Sequence, residues 1–340
     1  MTGDSSDAPA PAPGAIDPGN PRTLGRLITR IENDPGAAAS IVASLWGRTG
    51  RARRIGLTGP PGVGKSTLAD HLIASARHDG LRVAVIGVDP SSPFSGGAIL
   101  GDRVRMLRHS GDGGVYIRSM AARAHLGGLA AATRDVAYVL EAFAFDLVLV
   151  ETVGVGQSEV DIMGLADTVV VVTAPGLGDA VQTLKAGILE IADVLVVNKA
   201  DRPGARDTAM QLREMQRLVP RHEAWDVPIV ETAASTGAGT AELWDAIRRH
   251  GEHLNRSGEL DARRGRRAER EVLDLVETGL AAHVRATLQN QGEPAEILAE
   301  AKRRHTDPHT AAKAILDRLV PTVPAADRRP ATTKSKPEPP

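Results

Sequence analysis

The sequence has no cysteine and few aromatic residues, and both shortages restrict the possible chemistry. Among its 340 residues cysteine is absent, which excludes disulfide bonds, a cysteine nucleophile and every thiolate metal site. The same absence fits a reducing compartment, so we expect a cytoplasmic location. Aromatic residues make up only 2% of the chain, too few for the stacking platforms that bind single-stranded nucleic acid.

Long apolar runs and a strong net charge are missing as well. No apolar run approaches the roughly 18 residues of a membrane-spanning helix, and the acidic N-terminus lacks the apolar core of a secretory signal. The formal net charge is −1, so no overall field attracts nucleic acid or an anionic membrane. We therefore expect neither nucleic acid nor membrane among the partners.

A glycine-rich segment, Gly-Pro-Pro-Gly-Val-Gly-Lys-Ser-Thr, fits the pattern GxxxxGK[ST], in which backbone N–H groups surround phosphates. It lies between an apolar strand-like run and a helical segment, which is the expected context of such a loop. Lys65 is predicted to reach the β- and γ-phosphates, and the Ser66 hydroxyl to ligate Mg²⁺. The predicted nucleotide contacts of this loop are Gly59, Pro60, Pro61, Gly62, Val63, Gly64, Lys65, Ser66 and Thr67.

A second segment, Asn198-Lys199-Ala200-Asp201, follows a buried strand and predicts the choice of base. The Asp201 carboxylate can accept hydrogen bonds from N1–H and the 2-amino group of guanine, whereas adenine offers neither donor. Lys199 is expected along the base and ribose, and Asn198 is expected to tie this loop to the phosphate loop. Together the two segments predict a protein that binds GTP and GDP.

Acidic and glycine-rich positions at other strand ends predict the hydrolytic machinery. The segment Glu151–Glu159 (ETVGVGQSE) starts where an apolar strand ends. Glu151 is expected to hold a Mg²⁺-bound water or to orient the attacking water. The Gly154 N–H is expected to sense the γ-phosphate, and Gln157 is a candidate for positioning the water.

Asp89 ends another strand and is a candidate Mg²⁺ ligand or base. Asp102 is either a metal ligand or a solvated surface acid.

Apolar β-branched runs alternate with helical segments through most of the chain. The runs are continuous, as in parallel strands that helices cover on both faces, and they occupy residues 82–89, 145–150, 167–174, 194–198 and 227–231. Only four residues separate the helix after the phosphate loop from the next strand, which indicates a plain parallel crossover. The sequence therefore predicts an α/β fold of the P-loop NTPase class, with an all-parallel central sheet flanked by helices.

Flanking regions extend this core at both ends. Half of the 22 prolines lie in residues 1–22 and 321–340, which we predict to be disordered tails. Residues 23–52 form a predicted helical extension, residues 53–250 the nucleotide-binding domain, and residues 251–320 a helical arm. The basic run Arg263–Arg267 (RRGRR) is interpreted as a solvated helix start rather than a nucleic-acid site.

Six segments together closely resemble the methylmalonyl-CoA mutase-associated GTPases, the bacterial MeaB-type proteins formerly labelled arginine/ornithine transport-system ATPases. They are GPPGVGKST, VDPSS, ETVGVGQSE, GLGDxxQxxKAG, NKAD and DPHTAAxxIL, and the resemblance runs from about residue 23 to 320. It implies a homodimeric GTPase that gates adenosylcobalamin loading and protects or reactivates methylmalonyl-CoA mutase. It also implies that the C-terminal helices form the dimerisation arm.

The resemblance carries over to single positions. Asp89, Asp102 and Glu151 match the acidic switch residues of the family, and Asp179 and Lys185 match its third switch loop. The last base-contacting loop of the family reads SAxxGxG, whereas this chain has Ala233, Ala234 and Ser235 at the first three positions. The missing serine hydroxyl is expected to be tolerated, because the base is contacted there through backbone N–H groups.

The sequence leaves two alternative functions to consider. A metallocentre-insertion GTPase would need thiolate or histidine sites, which a chain without cysteine and without a histidine cluster does not offer. A kinase or ATPase linked to basic amino-acid transport would use ATP, and Asp201 argues against ATP as the donor.

Overall fold

The computed structural model describes residues 20–89, 107–109, 111–121, 128–152, 164–176, 190–218, 225–290 and 292–319. Within these ranges no helix combines the length and the apolar character needed to cross a membrane. The chain consists of two compact units, residues 1–268 and 269–340. The domain limits expected from the sequence stay predictions.

The first unit is built on a parallel sheet. Its seven described strands are β1 (Arg53–Thr58), β2 (Val83–Asp89), β3 (Val115–Ala121), β4 (Leu147–Thr152), β5 (Thr168–Thr173), β6 (Val194–Val197) and β7 (Ile229–Glu231). They lie in the order β3-β2-β4-β1-β5-β6-β7, and every neighbouring pair is parallel. The predicted fold class and all-parallel sheet are confirmed.

Helices cover both faces of the sheet. The described helices are α1 (Pro21–Asn33), α2 (Pro35–Leu45), α3 (Lys65–His78), α4 (Gly128–Ala142), α5 (Ala205–Leu218), α6 (Thr240–Ser257), α7 (Glu259–Gln289), α8 (Glu293–Lys302) and α9 (Pro308–Leu319). All six residues of β4 are buried. Leu147 and Leu149 pack with α3 and α6 on one face, while Val148 and Val150 pack with α1, α2 and α4 on the other. Burial on both faces explains the continuous apolar runs.

Three helices begin with the same device, an Asn or Asp cap followed by proline. Asn20 Oδ1 accepts a hydrogen bond of 3.0 Å from the backbone N–H two residues further along the chain. Asp34 Oδ1 accepts the equivalent hydrogen bond at 2.9 Å. Asp307 Oδ1 accepts from the N–H groups of His309 and Thr310 at 3.0 Å each. Proline suits the next position because the N–H there has no partner within the helix.

Strand β3 was not predicted from the sequence. It lies at the edge of the sheet beside β2, and most of its residues are only half-buried. An edge strand needs no continuous apolar run, and β3 carries Arg118, whose Nε donates to Glu32 Oε1 of α1 at 3.2 Å. Because polar residues interrupt it, β3 lacks the continuous apolar run that predicts the buried strands from the sequence.

The basic run at the start of α7 is not a solvated helix start, and that interpretation was wrong. Arg264 Nη2 lies 2.9 Å from Asp167 Oδ2, and Arg267 Nη1 lies 3.2 Å from Asp167 Oδ1. Arg263 Nη1 donates to Asp193 Oδ1 at 2.9 Å. The aspartates precede β5 and β6 and accept the backbone N–H groups of Arg54 at 3.0 Å and Val169 at 2.8 Å. The run therefore fixes the start of α7 to the amino ends of two strands.

The arginines control the ionisation of Asp167. Burial alone would raise the pKa of this carboxyl, but the hydrogen bond from Arg264 and the charges of Arg267 and Arg264 outweigh burial, so the pKa lies below its usual value. A carboxyl whose pKa is lowered by folding stabilises the protein above its unfolded pKa. That stabilisation is lost as the pH falls through the folded pKa.

The second unit contains α8, α9 and most of α7. Ala311 and Ile315 of α9 are buried, and Arg318 of α9 pairs with Glu293 of α8. In α7, large apolar side chains are about half exposed, namely Val272, Leu273, Leu275, Val276 and Leu280. The predicted C-terminal helices are present, and α7 leaves an apolar face uncovered within the described part of the chain.

We predict that Arg264→Met lowers the free energy of unfolding by about 1–3 kcal/mol, because a largely buried carboxylate loses a charged partner. Arg266→Met is the matched control in the same run. The Arg266 side chain is 62% exposed and pairs only with Glu259 among the described residues, so its loss should cost less than about 0.5 kcal/mol.

Urea titrations at neutral pH and at about pH 3 measure both effects. The loss of unfolding free energy in Arg264→Met should shrink at the lower pH, because the stabilisation from ionised Asp167 is present above its unfolded pKa and is lost as the pH falls. Equal losses of unfolding free energy in the two variants at neutral pH would contradict the assignment of Arg264 as a charged partner of Asp167.

Candidate functional site

The phosphate loop connects β1 to α3 at the carboxyl edge of the sheet, and its glycines allow close approach of neighbouring groups. Gly59 has φ 139°, and a Cβ there would lie 2.0 Å from Val172 O of β5. Gly64 has φ 96°, and a Cβ there would lie 2.4 Å from Asn198 Nδ2. Any other residue at either position would clash with fixed neighbours and adopt an unfavourable backbone conformation.

Helix α3 begins directly after this loop. Gly64 is its N-cap and offers no side-chain acceptor, so the first N–H groups of the helix face the loop, where an anion is favoured. Lys65 is 5% exposed, and its Nζ donates to Gly59 O at 2.7 Å and to Pro60 O at 2.9 Å. The ammonium group therefore lies against the loop that is expected to hold the phosphates.

The Ser66 hydroxyl and Glu151 meet at the end of β4. Ser66 Oγ donates to Glu151 Oε1 at 2.6 Å, and both residues are buried. Behind them, Thr152 Oγ1 donates to Thr58 Oγ1 at 3.0 Å, which joins the carboxyl ends of β4 and β1. The structure thus brings together two residues that the sequence predicted as metal ligands.

This pair fits a magnesium ion. Mg²⁺ usually binds through one or two carboxylates, water and substrate phosphates rather than through an all-protein cage. Ser66 Oγ and Glu151 Oε1 supply two adjacent oxygen donors of that kind. In the described ranges no group of three or more His, Cys, Asp or Glu side chains is arranged to hold a metal.

The Asn198 side chain joins the two loops. It is 1% exposed, and its Nδ2 donates to Val63 O of the phosphate loop at 2.7 Å. Its Oδ1 accepts from Thr232 Oγ1 at 3.0 Å and from Ala234 N at 3.1 Å. The hydrogen bond to the phosphate loop was expected from the sequence. The bonds to the loop after β7 were not.

Lys199 and Asp201 complete the segment after β6. Lys199 has a left-handed backbone, with φ 58°, a conformation that concentrates at functional sites. Its Nζ donates to Gly62 O at 2.7 Å, so the side chain spans from the base loop to the phosphate loop. Asp201 is exposed in the following turn, where a ligand can reach its carboxylate.

The third segment is the turn after β7. Ala233 and Ala234 are buried, while Ser235 is exposed. Thr236 N and Gly237 N donate to Ala233 O at 3.0 and 2.9 Å. The carbonyl of Ala234 lies 2.8 Å from His71 Nε2 of α3. Sequence reasoning did not single out His71, because no local pattern shows that α3 contacts this turn.

A further contact missed from the sequence links the segment before β3 to α3. Asp70 lies one helical turn beyond Ser66, is buried, and pairs with Arg108 and with His109, whose Nε2 is 2.8 Å from Asp70 Oδ1. Burial and the neighbouring Arg108 charge lower the pKa of His109. Arg108 is half-exposed and pairs with Asp70 within the chain.

Several predicted site residues are not placed by the structure. Asp89 ends β2, and only its backbone position is described, one residue beyond the pairing of Val88 with Thr152. The other predicted switch residues lie outside the described ranges, namely Asp102, Gly154, Gln157, Asp179 and Lys185. Their roles stay predictions.

A cavity of about 430 Å³ lies at the opposite, amino edge of the sheet, beneath α6. Its lining mixes arginines such as Arg53 with acids such as Asp146 and apolar residues such as Ile247. Ligands of open α/β sheets bind at the carboxyl ends of the strands, so this cavity is separate from the loops described above.

Comparisons with known proteins agree with this geometry. A Pyrococcus abyssi protein named as a GTPase is 50% identical over 305 residues, covering 89% of this chain and 94% of the relative. The mouse protein named methylmalonic aciduria type A homolog, mitochondrial, is 36% identical over 234 residues, 68% of this chain and 56% of the relative. The crystal structure of an LAO/AO transport system kinase superposes with a TM-score of 0.66 and 25% identity, covering 88% and 94% of the two chains.

The sequence profile of one family matches most of the first unit and part of the second. Its description is Methylmalonyl Co-A mutase-associated GTPase MeaB, and it matches residues 24–289. The match includes the phosphate loop, the Ser66–Glu151 pair and the loops joined by Asn198. The chain therefore belongs to the MeaB family of P-loop GTPases and binds guanine nucleotides.

Proposed function

We propose that this GTPase uses Mg²⁺·GTP to gate adenosylcobalamin loading of methylmalonyl-CoA mutase and to protect or reactivate that enzyme. Its main output is a nucleotide-dependent conformation that the mutase recognises, and it acts as a homodimer in the cytoplasm. The structural observation that carries the nucleotide part is the bridge from Asn198 to Val63 and Ala234. The family description and the name of the mouse relative support the mutase as client.

Within the site, each residue has a distinct task. Lys65 balances negative charge on the β- and γ-phosphates, while the N–H groups at the start of α3 bind their oxygens. Ser66 and Glu151 hold the metal, directly or through its water. When bound, Mg²⁺ neutralises charge that develops on the transferring phosphoryl group. Glu151 would also orient a water for in-line attack.

The base is selected by Asp201 and the turn after β7. The Asp201 carboxylate accepts from N1–H and the 2-amino group of guanine, which adenine does not offer as a pair of donors. Lys199 lies along the base and ribose, consistent with its reach from the base loop to Gly62 O. A preference for GTP over ATP distinguishes this proposed function from the alternative, a kinase linked to amino-acid transport.

The homodimer is proposed on the apolar face of α7. Leu273, Val276 and Leu280 follow one another at helical spacing and are 56%, 51% and 49% exposed. A second copy of this helix would bury such a stripe. Sedimentation velocity of the full chain tests the stoichiometry.

We predict that Glu151→Gln lowers the hydrolysis rate by at least about 100-fold while GDP affinity changes less than about fivefold. The amide keeps the size of the side chain but loses the charge that holds the metal and orients water. Glu242→Gln, on the exposed face of α6, is the matched control and should hydrolyse normally. Phosphate release under single-turnover conditions gives the rate, and an unimpaired Glu151→Gln would remove Glu151 from the mechanism.

We predict that Asp201→Asn weakens GTP binding about 100-fold and creates binding of xanthosine triphosphate. The amide donor of asparagine matches the 2-keto oxygen of xanthine and opposes the donors of guanine. Asp207→Asn, exposed in the first turn of α5, should change neither affinity. Calorimetric titration with both nucleotides measures the switch. An unchanged preference for GTP would mean that another residue reads the base.

We predict that purified adenosylcobalamin-dependent methylmalonyl-CoA mutase raises the GTPase rate at least about fivefold and co-elutes with this chain in size-exclusion chromatography. A cobalamin-independent acyl-CoA enzyme is the control and should do neither. Absence of both co-elution and stimulation would overturn the mutase as client, while the GTPase assignment would stand.

A further inference from the structure

His71 links the phosphate-binding helix to the base-binding turn. It lies in the second turn of α3, and its Nε2 is 2.8 Å from Ala234 O. Because a carbonyl oxygen only accepts, Nε2 must carry the proton of this hydrogen bond. A Cβ at Gly237 would lie 3.3 Å from His71 Cε1, so the glycine lets the imidazole lie directly against the turn.

The backbone around Ala234 is held from two directions. Ala234 N donates to Asn198 Oδ1 at 3.1 Å, and Ala234 O accepts from His71 at 2.8 Å. Asn198 is fixed in turn by Val63 O and Thr232 Oγ1. Asn198 therefore orients the peptide before Ala234, and His71 orients the peptide that follows Ala234.

That peptide also contains the N–H of Ser235. In a trans peptide the C=O and N–H point in opposite directions, so a carbonyl directed at α3 sends the Ser235 N–H away from α3. Among the described residues, no acceptor binds the Ser235 N–H. A donor held in a fixed direction with no acceptor of its own is suited to bind a ligand.

We propose that His71 is a positioning residue for base selection, which directs the Ser235 N–H toward the O6 oxygen of guanine. The inference rests on the proposed nucleotide site and adds a determinant of specificity to it. Guanine presents an acceptor at position 6, whereas adenine presents an amino donor there, which opposes an N–H group. His71 touches neither the base nor the phosphates and acts through the Ala234 peptide.

Two substitutions at His71 separate its hydrogen bond from its packing. His71→Phe keeps an aromatic ring against Gly237 but removes the donor, and His71→Gln supplies an amide donor without a ring. His78→Ala is the matched control, because His78 is exposed at the end of the same helix. The dissociation constants of GTP, inosine triphosphate and ATP are measured for each full-length variant by calorimetry.

His71→Phe should weaken the binding of GTP and of inosine triphosphate equally, by about fivefold to tenfold, because both bases carry O6. ATP affinity should not fall, and the ratio of GTP to inosine triphosphate, which reports the 2-amino contact of Asp201, should stay unchanged. His71→Gln should recover most of the loss. If His71→Phe does not fold, the comparison of His71→Ala with His71→Gln carries the test.

Equal losses of affinity for GTP and for ATP would overturn the proposal, because they would show only a structural role for His71. Unchanged GTP affinity in a folded His71→Phe would overturn it as well. If the wild-type chain itself does not prefer GTP over ATP, the proposed nucleotide function fails instead, and the two failures are thereby distinguished.

Discussion

The Asn198 carboxamide donates to Val63 O at 2.7 Å and accepts from Ala234 N at 3.1 Å, so one buried side chain holds the phosphate loop and the base loop in a fixed relation. A nucleotide contacts both loops at once, and its affinity depends on their spacing being set before binding. Gly64 belongs to the same arrangement, because any side chain there would collide with Asn198 Nδ2. Gly64 of the phosphate loop and Asn198 of the base loop are therefore two parts of one contact.

The sheet supplies the rigidity that this contact requires. The loops follow β1 and β6, and β5 lies between these strands. At the opposite edge, Asp167 and Asp193 bind the amino ends of the strands and are neutralised by arginines of α7. Helix α3 contributes in a second way, because His71 reaches the turn after β7. Side chains at both edges thus hold the strands whose ends carry the chemistry.

The sequence predicted the parts of the fold and of the site that short local patterns encode. The phosphate loop, the Asn198 segment and the parallel strands follow from glycine spacing and continuous apolar runs, because these features are encoded over a few consecutive residues. Strand β3 was missed because an edge strand needs little apolar character. The contacts of His71, Asp70 and Arg264 were missed because each partner lies far away in the chain, and no local period records which helix face meets which turn.

Hydrogen–deuterium exchange with and without Mg²⁺·GDP, on the wild-type chain and on Asn198→Ala, tests the central role of Asn198 most directly. We expect GDP to slow amide exchange in residues 59–67 and 233–236 of the wild-type chain together. In Asn198→Ala, protection should persist in the phosphate loop and weaken strongly in the turn after β7, since the hydrogen-bonded link from Ala234 N through Asn198 to Val63 O is then lost. Full protection of both segments in Asn198→Ala would contradict the account.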